Sequence, residues 1–194
     1  MSELNGLDML RQELENAPVI SKGNYNYYLW SVTEQHPPLS PKVLKDCSKA
    51  LLEKMNYGDA DFILTAEAMG ISVATTIALL IDRPIIIGTK RKKGVPNEYE
   101  SWYQCGYKMD VLNFSEIRKR SNVLVVDDVI STGGTCLAMI SAVNHFQSTV
   151  SDIGVLVNKI NYPGLKRLAD HGYKPKRLFD IKVEKSGVIV DTLI

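Results

Sequence analysis

Short runs of apolar residues with no polar alternation punctuate the chain at positions 62–64, 84–88, 123–126 and 153–157. Runs of that length read as strands covered on both faces, as the inner strands of a parallel sheet are. Between them the period changes from two to nearly four. Val73, Ile77 and Leu80 follow the first run, and Leu137, Ile140, Val143 and Phe146 follow the third, each set on one face of a helix. An earlier stripe, Leu44, Cys47, Leu51 and Met55, starts after Ser40-Pro41, a cap followed by proline at the first helical position, and stops at Gly58. Leu4, Leu7, Leu10 and Leu14 place an N-terminal helix against the core or against another subunit. Residues 109–114 alternate like a half-buried strand, and residues 165–168 fit a short helix. Residues 179–183 and 188–190 pair as a closing hairpin through Ser186-Gly187. The alternation of strand and helix predicts an α/β fold, a central mostly parallel sheet flanked by helices.

Composition narrows the class. At 194 residues, 45% apolar and 23% charged, the chain suits a single domain over 1–194 with a substantial core. A formal charge of +1 gives no reason to expect nucleic acid or a membrane surface as partner. Cys47, Cys105 and Cys136 are odd in number and lack paired spacing, which argues against a disulfide framework or zinc ribbon and for a reducing compartment. No stretch has the form of a signal peptide, and none approaches the roughly 18 apolar residues of a membrane span. The expected location is cytoplasmic. His36, His145 and His171 have no metal-ligand spacing.

The chemistry concentrates in residues 123–135. Asp127 and Asp128 follow the apolar run where the strand is expected to end, and ligands of open α/β sheets sit beyond the carboxyl ends of strands. Ser131, Thr132, Gly133, Gly134 and Thr135 come next, just before a helix. Two glycines let backbone N–H groups converge, three hydroxyls add donors, and the helix start supplies its positive dipole end. Such a loop suits a phosphate monoester. Paired carboxylates beside it suit vicinal hydroxyls, and the two together describe a phosphorylated ribose. The plainer alternative is a capped turn, although capping needs one such residue and not a whole run. No Walker-type G-x-x-x-x-G-K-[ST] string occurs.

This segment resembles the phosphoribosyl diphosphate (PRPP) signature of the type I phosphoribosyltransferases. The resemblance implies that Asp127 and Asp128 serve catalysis by holding the ribose, and that residues 131–135 hold the 5′-phosphate. It implies further that the turn Ala66, Glu67, Ala68, Met69, a turn which in the family often contains a strained or cis peptide, approaches the diphosphate. The basic run Lys90-Arg91-Lys92-Lys93 would otherwise be a solvated face or a nucleic-acid address. In the resemblance it compensates the diphosphate, with Arg91 and Lys92 as the expected contacts. Residues 94–106 correspond to a mobile lid that includes Tyr103 and Gln104. Tyr25 and Tyr27, in the cluster with Tyr28 and Trp30, are either core aromatics or part of a small hood over the base, built from N-terminal residues. Mg²⁺ is expected through PRPP and pyrophosphate, with no direct protein ligand, and a homodimer is expected from the family's habit.

Departures from the pattern bear on the base. Adenine enzymes carry arginine where this chain has Met69 and glutamate where it has Gln104, which leaves the general acid or base unassigned. Vertebrate-type hypoxanthine-guanine enzymes carry aspartate at Ser131 and lysine at the second glycine position. The combination of Pro18-Val19-Ile20, Thr65-Ala66-Glu67-Ala68-Met69-Gly70 and Asp127-Asp128-Val129-Ile130-Ser131 resembles archaeal-type hypoxanthine phosphoribosyltransferases. A 6-oxopurine substrate is therefore expected, adenine second, with a PRPP- or nucleotide-sensing regulator on the same fold as the answer from a different class.

Overall fold

A computed structural model describes residues 4–23, 25–105 and 108–193. The expected strand runs assemble into one six-stranded sheet. In chain order the strands it contains are β3 (Phe62–Ala66), β4 (Ile85–Gly88), β7 (Asn122–Ile130), β8 (Thr149–Lys159), β9 (Lys176–Glu184) and β10 (Gly187–Leu193). Across the sheet the order is β10-β9-β8-β7-β3-β4, parallel throughout except for the antiparallel edge strand β10. Both faces are covered. Helices α1 (Gly6–Glu15), α3 (Pro41–Leu52) and α4 (Ile71–Ile81) bury Leu10, Leu14, Cys47, Leu51 and Ile77 on one side. Helices α5 (Gly134–His145) and α6 (Gly164–Asp170) bury Met139, Val143 and Leu168 on the other. Coverage on both faces is why Val123 to Val126 need no polar alternation, and all of them are fully buried. The short α2 (Ser31–Glu34) connects the N-terminal hairpin to α3. No helix among the described residues is long and apolar enough to cross a membrane.

The sheet opens where the chemistry lies. β3 pairs with β7 only from Phe62↔Val123 to Leu64↔Val125, whereas β8 pairs with β7 as far as Ile130↔Asn158. The strand therefore does not end before the acids, as the sequence suggested. It runs on through Asp127 and Asp128, supported by β8 alone, and leaves a crevice on the β3 side.

Two small hairpins border that crevice. β1 (Val19–Lys22) and β2 (Tyr25–Tyr28) form a hood, with Tyr28 against Trp30 at 5.6 Å between ring centroids. β5 (Tyr99–Cys105) and β6 (Lys108–Phe114) form the second, in register from Tyr99↔Phe114 to Cys105↔Lys108. The expected irregular lid over 94–106 is thus mostly strand. Its last residue, Gly106, lies outside the described residues. The reason for the strand is an alternation that needs tertiary context to be read. Tyr99, Ser101 and Tyr103 turn inward, and Trp102 between them is 64% exposed. The Tyr99 hydroxyl meets Ser141 Oγ of α5 at 2.8 Å, and its ring stacks on His145 at 4.0 Å. At its base the hairpin is tied to the end of β4 by paired backbone bonds between Thr89 and Asn113.

Candidate active site

A cavity of about 260 Å³ fills the crevice between hood, sheet edge and second hairpin. Its floor is β7 and the turn after β3. Asp127 and Asp128 are 5% and 4% exposed, and the Asp128 N–H donates to Asp127 Oδ1 at 3.0 Å. Burial, followed by the neighbouring Asp128 charge, holds the Asp127 carboxyl well above the usual carboxylate range. Burial likewise pushes Asp128 up to about 6, against hydrogen bonds that favour its ionised form. Burial and mutual repulsion disfavour ionising both acids at once, so the pair holds on to a proton above the usual carboxylate range.

Opposite them Ala66, Glu67, Ala68 and Met69 line the same cavity, and the Glu67–Ala68 peptide bond is cis. Gly70 closes the turn with no room for a side chain. A Cβ there would lie 2.5 Å from both Asp127 Oδ1 and Thr65 Oγ1. Glu67 also fixes the neighbouring segment, its Oε1 accepting from the Lys90 N–H at 2.6 Å.

The loop after β7 forms a small cup bounded by residues 129–136. Gly133 takes a left-handed conformation, φ +77°, which glycine adopts without cost, and α5 starts at Gly134. Ser131 and Thr135 also face the main cavity, so cup and crevice are continuous. The Thr132 hydroxyl donates to the Gln104 carbonyl at 3.0 Å, placing the end of β5 over the cup. A Cβ at Gly134 would lie 2.0 Å from that same carbonyl.

With a buried carboxylate pair, a convergent backbone cup and a covering hairpin at one sheet edge, the architecture can be compared with known proteins. A family model described as a phosphoribosyl transferase domain matches residues 39–191. The chain belongs to that family. A hypoxanthine/guanine phosphoribosyltransferase of Ferroglobus placidus is 40% identical over 188 residues, covering 96% of this chain and 99% of the relative. The HGPRTase-like protein 1 of Haloferax volcanii is 33% identical, covering 95% and 96%. Among solved structures, the adenine phosphoribosyltransferase from Thermoanaerobacter pseudethanolicus superposes with a TM-score of 0.76 over 90% of this chain and 99% of that one. At 21% identity that is a likeness of fold alone.

In this phosphoribosyltransferase the residues singled out from sequence are not all gathered in one place. Tyr25, Tyr27, Tyr103, Asp127, Asp128, Ser131, Thr135 and the 66–69 turn line the main cavity, and Thr132, Gly133 and Gly134 line the cup. Gln104 reaches the cup through its carbonyl, and its side chain is exposed. Arg91 and Lys92 line neither. Arg91 is exposed, its carbonyl accepting from Thr89 Oγ1, and Lys92 stands 3.9 Å from Glu100 in solvent. The cation of that run at the cavity is Lys90, 3.9 Å from Asp110 of β6.

The sequence points to the run containing Lys90 but favours its neighbours Arg91 and Lys92, and it gives Asp110 and Lys159 no role. Lys159, at the end of β8, is 1% exposed, and its Nζ donates to the Asn26 carbonyl of the hood at 2.8 Å. The rings of Tyr25 and Tyr162 lie 4.0 and 4.7 Å from the ammonium. Burial lowers this lysine to about 8. A signal existed for Lys159 and for Asp110. Lys159 follows the apolar run of β8 at the sheet's carboxyl edge, as Asp127 follows that of β7, and Asp110 shares its strand face with the buried Leu112 and Phe114.

Proposed function

We propose that the enzyme transfers the 5-phosphoribosyl group of PRPP to a 6-oxopurine, hypoxanthine or guanine, giving the nucleoside monophosphate and pyrophosphate. The observation that carries this reading is Lys159. Its ammonium shares a narrow pocket with Tyr25, Tyr27, Thr33 and Asp128, at the hood end of the cavity. An ammonium has three donors and no acceptor. One donor goes to Asn26, and the rest suit the carbonyl oxygen at purine position 6, where adenine has an amino group. A buried donor left unmatched discriminates strongly against the wrong base. The hypoxanthine/guanine names of the relatives described above agree with this choice.

Bond formation between the purine nitrogen and C1′ expels pyrophosphate and places positive charge on the ribose ring. No covalent nucleophile is needed, so positioning and electrostatics carry the rate. Asp127 and Asp128 accept from the ribose hydroxyls and face the developing charge. The purine nitrogen releases its proton as the new bond forms, and Asp128, near 6 and beside Tyr27, is suited to accept it. The cup takes the 5′-phosphate, and the 66–69 turn with Lys90 faces the diphosphate. The carboxylates of Glu67, Asp110, Asp127 and Asp128 at the cavity are hard oxygen groups of the kind Mg²⁺ prefers, though among the described residues no three of them come together as a metal site. The ion would be held mainly by the diphosphate and sugar oxygens, and when bound it neutralises the leaving group. We further propose a cytoplasmic homodimer.

The test is nucleotide formation from PRPP and Mg²⁺ with hypoxanthine, guanine, adenine, xanthine, orotate and uracil run in parallel. Inosine or guanosine monophosphate should dominate. Adenosine monophosphate as the main product would overturn the role of Lys159. Binding of PRPP without any product would favour a sensing protein.

A further inference from the structure

The inward face of the phosphate cup depends on a helix outside it. A trans peptide unit points its C=O and N–H in opposite directions, so whatever holds a loop carbonyl outward turns the next residue's N–H inward. The start of α6 does this at two consecutive peptides. The Gly164 N–H donates to the Ser131 carbonyl at 2.9 Å, and Arg167 Nη1 donates to the Thr132 carbonyl at 2.7 Å. The N–H groups of Thr132 and Gly133 therefore point away from α6. Neither Gly164 nor Arg167 lines the cup itself.

The packing leaves this arrangement little play. A Cβ at Gly164 would lie 2.3 Å from the Ser131 carbonyl and 2.5 Å from Ile130 Cγ2, and one at Gly133 would lie 3.1 Å from the Gly164 carbonyl. Loop and helix start are in backbone contact. A guanidinium on the Thr132 oxygen also polarises that peptide, which makes the Gly133 N–H a stronger donor. The half-buried Arg167 thus delivers its charge one peptide away from where a dianion would sit.

We propose that Arg167 is a positioning residue for the 5′-phosphate, acting through the Thr132–Gly133 peptide without touching the ligand. This rests on reading residues 131–135 as the phosphate cup. It makes α6, nearly thirty residues further along the chain, part of the binding apparatus of a loop whose own sequence looks self-sufficient.

The experiment compares the unaltered chain with Arg167→Ala, Arg167→Met and Arg167→Lys by titration calorimetry, with ribose 5-phosphate and with magnesium pyrophosphate as separate probes. Loss of one charge-assisted bond behind the cup should raise the ribose 5-phosphate dissociation constant roughly tenfold in the Ala and Met variants. Lysine should restore most of the affinity, and pyrophosphate should bind all four proteins alike. In steady state the KM for PRPP should rise while kcat holds. The Met variant keeps much of the aliphatic stem and serves if alanine fails to fold. Unchanged ribose 5-phosphate affinity in the Met variant overturns the proposal, as does a parallel loss of both ligands, the sign of general structural damage. If the unaltered chain binds pyrophosphate but neither ribose 5-phosphate nor PRPP, the cup reading itself falls and this inference falls with it.

Discussion

Replacing Gly70 with alanine inserts one methyl group beside the carboxylate on which the proposed chemistry depends. The backbone there, φ −69° and ψ −16°, is one that alanine adopts freely, so the change acts through space alone. By itself a glycine-to-alanine change at such a position stabilises by about 0.4–1 kcal/mol. The new Cβ would sit 2.5 Å from Asp127 Oδ1, 2.5 Å from Thr65 Oγ1 and 3.2 Å from Asp127 Cα. Carbon contacts are ordinarily about 3.5 Å or more, so each oxygen must retreat by roughly 1 Å. The strand cannot follow, because β7 is bonded to β8 at Asp127↔Val155. The carboxylate must rotate instead, and its bond from the Asp128 N–H weakens. Overpacking of this kind costs about 1–3 kcal/mol. Set against the backbone gain, the net loss is about 1 kcal/mol, or roughly 2–4 °C in Tm for a chain of this size. A 1 Å misplacement at a reacting centre costs roughly 100-fold in rate. The expected signature is a small loss of stability with a large fall in kcat, read by differential scanning calorimetry and by nucleotide formation from PRPP and hypoxanthine. Gly58→Ala, where the added Cβ meets no neighbour within 4 Å, is the matched control and should leave kcat unchanged while stability holds or rises slightly. Turnover of Gly70→Ala within about threefold of the unaltered chain would refute the claim that this glycine is required to seat Asp127.

Other expectations follow from the same geometry. Asp127→Asn combined with Asp128→Asn should abolish turnover with the circular dichroism spectrum intact. Because the folded pair holds protons that the unfolded chain has released, the unaltered protein should lose stability as pH rises from about 4 toward 6. The double variant should lack that slope, and a slope that persists would mean other groups cause it. Lys159 has the opposite sign: burial lowers it to about 8. The unfolded chain therefore keeps the proton longer, and the unaltered protein should gain stability relative to Lys159→Met between pH 8 and about 10.4. The same variant should lose hypoxanthine turnover far more than any adenine turnover, and an equal loss of both would remove Lys159 from base selection. Shortening residues 94–106 should raise PRPP hydrolysis relative to base transfer, because water exclusion is the hairpin's expected task; an unchanged partition would count against a lid.

What was legible in the sequence was what the chain specifies locally. The uninterrupted Val123–Val126 run, the acids, the glycines and the helical stripe after them lie within a single strand-loop-helix unit, and each could be read without knowing a partner. The closing hairpin through Ser186-Gly187 was legible for the same reason, and β9 and β10 pair there from Gly187↔Glu184. The strand at 99–105 was not. Its inward residues are tyrosine and serine, which read as apolar positions only once α5 supplies Ser141 and His145 as their contacts. The length of β7 was misjudged because support from β8 alone carries a strand past the point where β3 departs. Within the run of basic residues nothing local distinguishes one cation from the next. The choice of Lys90 is made by Glu67 bonding its N–H and by the Thr89–Asn113 bridge that fixes the chain direction.

The charge balance of the cavity explains why so much of the site had to come from distant segments. Glu67, Asp110, Asp127 and Asp128 line it with Lys90 as the cation among the lining residues, an unfavourable reception for an anionic sugar diphosphate. Three features offset this. Burial keeps the acid pair partly protonated, which reduces the negative charge that an anionic ligand meets. On the proposed reading the 5′-phosphate would be taken by backbone amides in the adjoining cup, where Gly164 and Arg167 bond the Ser131 and Thr132 carbonyls from behind. The diphosphate would bring its own divalent ion. On the proposed reading, hydrogen bonds from the ribose hydroxyls would favour the ionised pair, so binding would release a proton and leave the carboxylates charged to face the positive charge that develops on the sugar. A partly protonated pair softens the conflict between an acidic floor and an anionic ligand, and the stretch of β7 that pairs with β8 alone puts it there.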